Sequence, residues 1–259
     1  MFPVSKLIAV VSAAALIAAC GGSDANKSAP PSSPAAAPDA KKVDESTAGS
    51  LVGKVTIEGS VPANPPIAMA SDPACASANK EPVTTETFVV KDGGLDNVFV
   101  YIKDDLGRKY IFDTPTASAK IEQKGCRYVP HVLGLRVSQP LEISNDDNTM
   151  HNVHGMGKAN REFNYGQPLA GIKNSVTFTT PEVLMSVKCD VHPWMHAFIG
   201  VVNHPFFAVS ADGGKFELRT IPPGTYTVEA VHEKLGSQIQ TVTIGEKEKK
   251  EITFAFKAQ

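Results

Sequence analysis

The stretch Val183-Leu184-Met185-Ser186-Val187-Lys188-Cys189, continued by Asp190-Val191-His192-Pro193-Trp194-Met195-His196, carries the reading of this chain. Alternate residues of a strand share a face. Val183, Met185 and Val187 then lie on one side, and Cys189 falls in phase with them. The cysteine is expected to point inward at the end of a core strand. Ala197-Phe198-Ile199-Gly200-Val201-Val202 reads as the return strand. Cys189 to His196 is thus a strand-to-strand loop that carries several side chains able to bind metal.

The same short-strand pattern extends outward. Leu51 to Ile57 alternates and ends at Gly59, and Phe88-Val89-Val90 stops at Asp92-Gly93-Gly94. Val98 to Ile102 is a strong short strand. Leu135-Arg136-Val137 and Leu141-Glu142-Ile143 meet around Pro140, and Ser175 to Thr179 runs to Pro181. No segment has a useful helical period. Many short strands with regular turn signals predict an all-β sandwich or barrel.

A soft thiolate, two imidazoles and a weak thioether suit copper that cycles between two oxidation states. The loop offers Cys189, His192 and Met195, spaced Cys-x₂-His-x₂-Met, and another imidazole must come from elsewhere. Upstream lies Asn145-Asp146-Asp147-Asn148-Thr149-Met150-His151-Asn152-Val153-His154. Together these segments resemble the two ligand-bearing segments of the cupredoxins, most closely the amicyanin type, over roughly residues 128 to 203. The resemblance implies a Greek-key β-sandwich holding one type 1 copper on His151, Cys189, His192 and Met195. It also implies that Asn152 ties the two segments together. Trp194 then forms either an apolar rim for electron passage or packing that excludes water. His154 is expected to lie beyond the site. His196, Met150 and Met156 are additional donors: His196 in place of Met195 would give a more tetragonal copper site, and a tetrahedral Cys/His set could hold zinc.

Beyond about residue 206, Ala211-Asp212-Gly213-Gly214-Lys215-Phe216 and Ile221-Pro222-Pro223-Gly224-Thr225-Tyr226 are turns leading into strands. They resemble carboxypeptidase regulatory-like (transthyretin-like, Ig-like) β-sandwiches. Gly53-Lys54-Val55 has the look of that family's early strand. The expected organisation is a sandwich of 50–117 with 206–259, split by a cupredoxin at 118–205; the alternative is a serial arrangement. Glu246 to Glu251 reads as a solvated turn, and Lys188 and Asp190 as solvated side chains.

Lys6 and the apolar run Leu7 to Ala19, ending at Cys20-Gly21-Gly22, resemble a bacterial lipoprotein signal over residues 1–20. This implies lipid on Cys20 and a periplasmic location, with the anchor in the outer membrane. Residues 21–49, rich in Ala, Pro and Ser, read as a tether. Export implies an oxidising compartment. With Cys20 given to lipid and Cys189 to metal, Cys75 and Cys126 are expected to form a disulfide.

The chain has 259 residues and a net charge of −2, so no basic surface argues for nucleic acid. The expected function is a one-electron carrier between redox proteins such as a periplasmic dehydrogenase and a cytochrome. Copper storage, delivery or sensing is the alternative. Seven histidines form no convincing second cluster, which argues against a self-contained oxidase or nitrite reductase.

Overall fold

The computed structural model describes residues 37–258. Cys20, the signal segment and tether residues 21–36 lie outside the described residues. Among the described residues no helix is long and apolar enough to cross a membrane.

The first block of elements is β1 (Gly49–Glu58), α1 (Pro73–Ala78), β2 (Val90–Lys91), β3 (Gly94–Leu95), β4 (Phe99–Ile102) and α2 (Leu106–Lys109). The middle block is β5 (Ala119–Gln123), β6 (Tyr128–Val129), β7 (Val132–Arg136), β8 (Leu141–Asn145), β9 (His151–Met156), β10 (Phe163–Gln167), β11 (Lys173–Val176), β12 (Glu182–Lys188) and β13 (His196–Val202). The last block is β14 (Phe207–Val209), β15 (Lys215–Ile221), β16 (Gly224–His232), β17 (Gly236–Ile244) and β18 (Lys249–Lys257). The protein is all-β.

The first and last blocks interleave. β1 runs parallel to β18 from Ser50↔Lys249 to Glu58↔Lys257. It is antiparallel to β15 and, at Thr56↔Gly94, to β3. A second sheet orders its strands β14-β4-β16-β17. Leu51, Val55 and Ile57 alternate inward from β1 and share one apolar core with Val100, Val228, Ala230, Phe254 and Phe256. The Pro222-Pro223-Gly224 turn lets Tyr226 fold back so that its hydroxyl donates to the Pro222 carbonyl at 2.5 Å.

The middle block packs the sheet β10-β9-β12-β13-β7 on the sheet β11-β8-β5-β6. Ile121, Leu135, Ile143, Val187, Ile199 and Val201 fill its core. The two pairs of sheets meet through a small apolar cluster of Phe99, Tyr101, Val132 and Val202. Gly134 and Gly200 are cross-strand partners here. A Cβ on Gly200 would stand 2.5 Å from the Phe99 ring, so that ring can seat only over bare backbone.

Four expectations need correction. Val183 does not share a core with Met185 and Val187: it joins the junction cluster. Leu184 has φ of 50°, and the β12–β13 register shifts between Glu182 and Met185. This bulge turns the strand by one residue, leaving Met185, Val187 and Cys189 in phase. The strand at Ser175 ends at Val176, opposite Leu141; the next position of the partner is Pro140, which has no N–H to pair. Residues 67–83, expected with the outer sandwich, pack on the middle block, where Met69 and Cys75 are buried. They also contain α1, a helix too short to show a period. Tether residues 37–48 are seated on the surface: Ile111 donates its N–H to the Lys41 carbonyl, and Val43 packs on the outer core.

Candidate metal centre

The β12–β13 loop is closed by its own backbone. Cys189 N–H donates to the Met195 carbonyl at 3.1 Å, and Met195 N–H to the His192 carbonyl at 2.9 Å. His192 N–H points at Cys189 Sγ, 3.4 Å away. The loop therefore turns His192 back toward the thiol, and Met195 is buried in the middle block's core. His151 opens β9, the neighbour of β12 in the same sheet. Asn145, at the end of β8, shapes the approach by donating its amide to the Thr149 and Gln167 carbonyls.

His151, Cys189 and His192 are brought together. Their donor atoms lie within 4.8 Å of one another, and all three residues are buried. His151 Nδ1 stands 2.9 Å from His192 Nδ1. Asn152 joins the two segments: its Oδ1 accepts Asp190 N–H at 2.7 Å and the Cys189 thiol at 3.3 Å. Its amide donates to Asn164 and Asp190. The Trp194 ring lies 4.9 Å from that of His192, and its Nε1–H donates to the Cys126 carbonyl at 3.1 Å. Trp194 also lines a cleft with His131, Phe198 and Arg127.

The outlying histidines do not join the cluster. His154 bonds Asp190 and Glu162, and His196 is exposed. Asp190 is not merely solvated, as its side chain ties Asn152, Asn164, His154 and Lys188 together. The Cys75–Cys126 disulfide is formed.

The outer edges of both imidazoles meet carboxylates that the sequence reading passed over. His151 Nε2 is 3.0 Å from Asp147 Oδ2, and His192 Nε2 is 3.0 Å from Asp72 Oδ2. Asp72-Pro73 carries a helix-start signature, an acidic N-cap followed by proline, from which α1 could have been found. Its placement on a histidine 120 residues away has no local signal. Asp147 lies in the quoted Asn145–His151 run, where its role is invisible without the turn geometry.

Electrostatics favour an ionised Cys189 thiol. Burial pushes the Cys189 thiol up, but His151 and neighbouring backbone N–H groups outweigh it and bring the thiol below its ordinary value. Burial depresses His151, yet Asp147 and Cys189 prevail and raise it to about 9. The Cys75 N–H leads in lowering Asp72 to about 2, against burial and with help from Thr149 and His192. An ionised carboxylate only accepts hydrogen bonds. Each Nε2 therefore carries a hydrogen, and in the metal-free protein the raised His151 keeps its second proton on Nδ1, 2.9 Å from the His192 Nδ1 that accepts it. A cation that displaced this proton would meet two imidazole nitrogens and a thiol disposed to ionise, converging in a buried space. This donor set fits a soft or borderline cation.

No family model and no curated protein matches the chain. Solved structures similar to it include a Cu-containing nitrite reductase (NirK) from Thermus scotoductus SA-01, at 17% identity and a TM-score of 0.32. That likeness covers 57% of this chain and 28% of the reductase, so the chain spans little more than a quarter of its length. A methionine-to-alanine mutant of amicyanin in its Cu(I) form is similar at 19% identity and a TM-score of 0.29, over 39% of this chain and 97% of amicyanin. A purple cupredoxin from Nitrosopumilus maritimus is similar at 24% identity and a TM-score of 0.28, over 32% and 99%. The chemistry of the site rests on its own side chains.

Proposed function

We propose that this protein binds one copper ion at a type 1 site and carries single electrons in the bacterial cell envelope, anchored by lipid on Cys20. The observation that carries the reading is the buried convergence of His151 Nδ1, His192 Nδ1 and Cys189 Sγ, with Met195 buried on the same loop. Bound copper would supply a one-electron couple. The chain's own residues hold the ligands in place and exclude water. Asn152 keeps the two ligand-bearing segments together, and the closed loop leaves little freedom for ligand exchange. Trp194, half-buried against His192, faces the cleft and offers an approach for a redox partner such as a dehydrogenase or cytochrome. Exposed Met150 and Met156 motivate the second reading, copper storage or delivery.

The test is to prepare the soluble form lacking residues 1–20, titrate it with Cu(II) and record visible and EPR spectra. An intense thiolate-to-copper band with narrow hyperfine splitting at one equivalent supports the carrier. Ordinary tetragonal signals, or no binding, reject it. Rapid copper loss to a chelator favours delivery.

A further inference from the structure

Each imidazole of the site reaches outward to a carboxylate, and each carboxylate is seated on one half of the disulfide. Asp72 Oδ2 faces His192 Nε2, while Asp72 Oδ1 accepts the Cys75 N–H at 3.0 Å. Asp147 Oδ2 faces His151 Nε2 and also accepts the Cys126 N–H at 2.8 Å. We propose that Asp72 and Asp147 are positioning residues of the metal centre, set in register on the two imidazoles by the Cys75–Cys126 bridge. The inference rests on the metal-centre reading above.

The chemistry follows from what a carboxylate can do. It accepts from Nε2–H, so Nδ1 is the nitrogen of the ring that is left to face a cation. It also fixes the ring's orientation and makes the ligand nitrogen more basic. A more basic ligand favours the more highly charged metal state, so removing the carboxylate should raise the reduction potential.

Asp72 arrives on a cover that the outer sandwich's chain supplies between β1 and β2. The cover is anchored at several points. Asn79 Nδ2 donates to the Cys75 carbonyl at 2.9 Å and to the Gly125 carbonyl at 3.1 Å. The Thr149 hydroxyl donates to Asp72 Oδ2 at 2.8 Å. Under this cover His192 is only 3% exposed.

The two oxygens of Asp72 have separable roles. Oδ1 caps α1, accepting from Ala74 and Cys75, and Oδ2 holds His192. Asp72→Asn keeps the shape and the capping oxygen but sets an NH₂ against Nε2–H. Two donors then face each other, and the ring must move its proton to Nδ1 and lose the ligating lone pair. Asp72→Ser keeps a cap and leaves Nε2–H to water.

The experiment measures melting temperature without metal, copper affinity by chelator competition, reduction potential and the Cu(II) EPR spectrum for both variants. The two should melt alike. Copper affinity should fall about 10- to 100-fold in Asp72→Asn and less in Asp72→Ser, with the potential raised in both. A cap-only role predicts the opposite order, with Asp72→Asn unchanged, and that result overturns the inference. Thr149→Val serves if neither variant folds: it removes one donor from Oδ2, strengthens the carboxylate as an acceptor and should lower the potential. No shift there overturns the inference as well. Wild-type protein lacking a thiolate-to-copper band would instead overturn the metal-centre reading itself.

Discussion

Both sandwiches bury histidines, and the difference between them lies in what each ring nitrogen meets. In the outer sandwich, His204 Nε2 is 2.8 Å from the Ile102 carbonyl, and its Nδ1 accepts the Phe206 N–H. His232 does the same with the Thr87 carbonyl and the Lys234 and Leu235 N–H groups. Both nitrogens of each ring are occupied by backbone, so these rings are neutral struts with nothing left to offer. In the middle block, His151 and His192 meet carboxylates at Nε2 and turn their Nδ1 atoms toward one another and a thiol, with no backbone partner there. A buried histidine whose second nitrogen is closed by backbone has no donor left to offer, whereas one whose second nitrogen faces other side chains does.

The largest effect that would break this contrast is on the thiolate. Cys189→Ser should abolish the intense visible band of the copper-loaded protein outright, as read by absorption. Retention of the band would move the ligand to another sulfur. Next comes the outer core. Phe254 is fully buried there, and Phe254→Ala should cost about 3–5 kcal/mol in chemical denaturation. The metal spectrum of the surviving folded protein should be unchanged. A lost spectrum would mean that the two sandwiches do not carry separate duties.

The histidines themselves give a pH test. Burial depresses His204 from 6.5 to about 4. The folded state then binds fewer protons than the unfolded one across this window. Its stability contribution is present above about 6.5 and lost as pH falls toward about 4. His204→Gln should make the acid-side slope of metal-free stability shallower by about one proton. An unchanged slope would show that His204 is not a neutral strut. The smallest effect is at the turn: Tyr226→Phe removes the bond to the Pro222 carbonyl and should cost about 1 kcal/mol, measured by thermal melting, with copper affinity unaltered.

Much of this contrast was legible before any fold was seen, because it is local. Cys189, His192 and Met195 sit within seven consecutive residues, and the period of two places the cysteine inward. The strands of the C-terminal sandwich announce themselves by Gly and Pro turns. The disulfide followed from cysteine arithmetic and the expectation of export. What stayed hidden is non-local or a departure from period. The bulge at Leu184 requires a residue with positive φ that no glycine marks. Asp72 and Asp147 are ordinary acidic residues in sequence, and only tertiary approach makes them partners of the imidazoles. The cover of residues 67–83 reads as a proline-punctuated loop of the outer sandwich, because its own few apolar residues do not reveal which core receives them.

That cover has a consequence for modularity. The sheets suggest cutting the chain near residues 118 and 205, and a fragment so made would keep every strand of the middle block. It would also leave Cys126 without its partner 51 positions upstream, and it would forfeit a cross-link whose loop closure contributes about 4 kcal/mol in the chain-entropy description. The edge of His192 would lie bare. The unit that can be transplanted by recombination is therefore larger than the unit drawn by hydrogen-bonded strands. It reaches back into the connection after β1, so a fragment bounded by the middle block's strands omits the residues that cover His192.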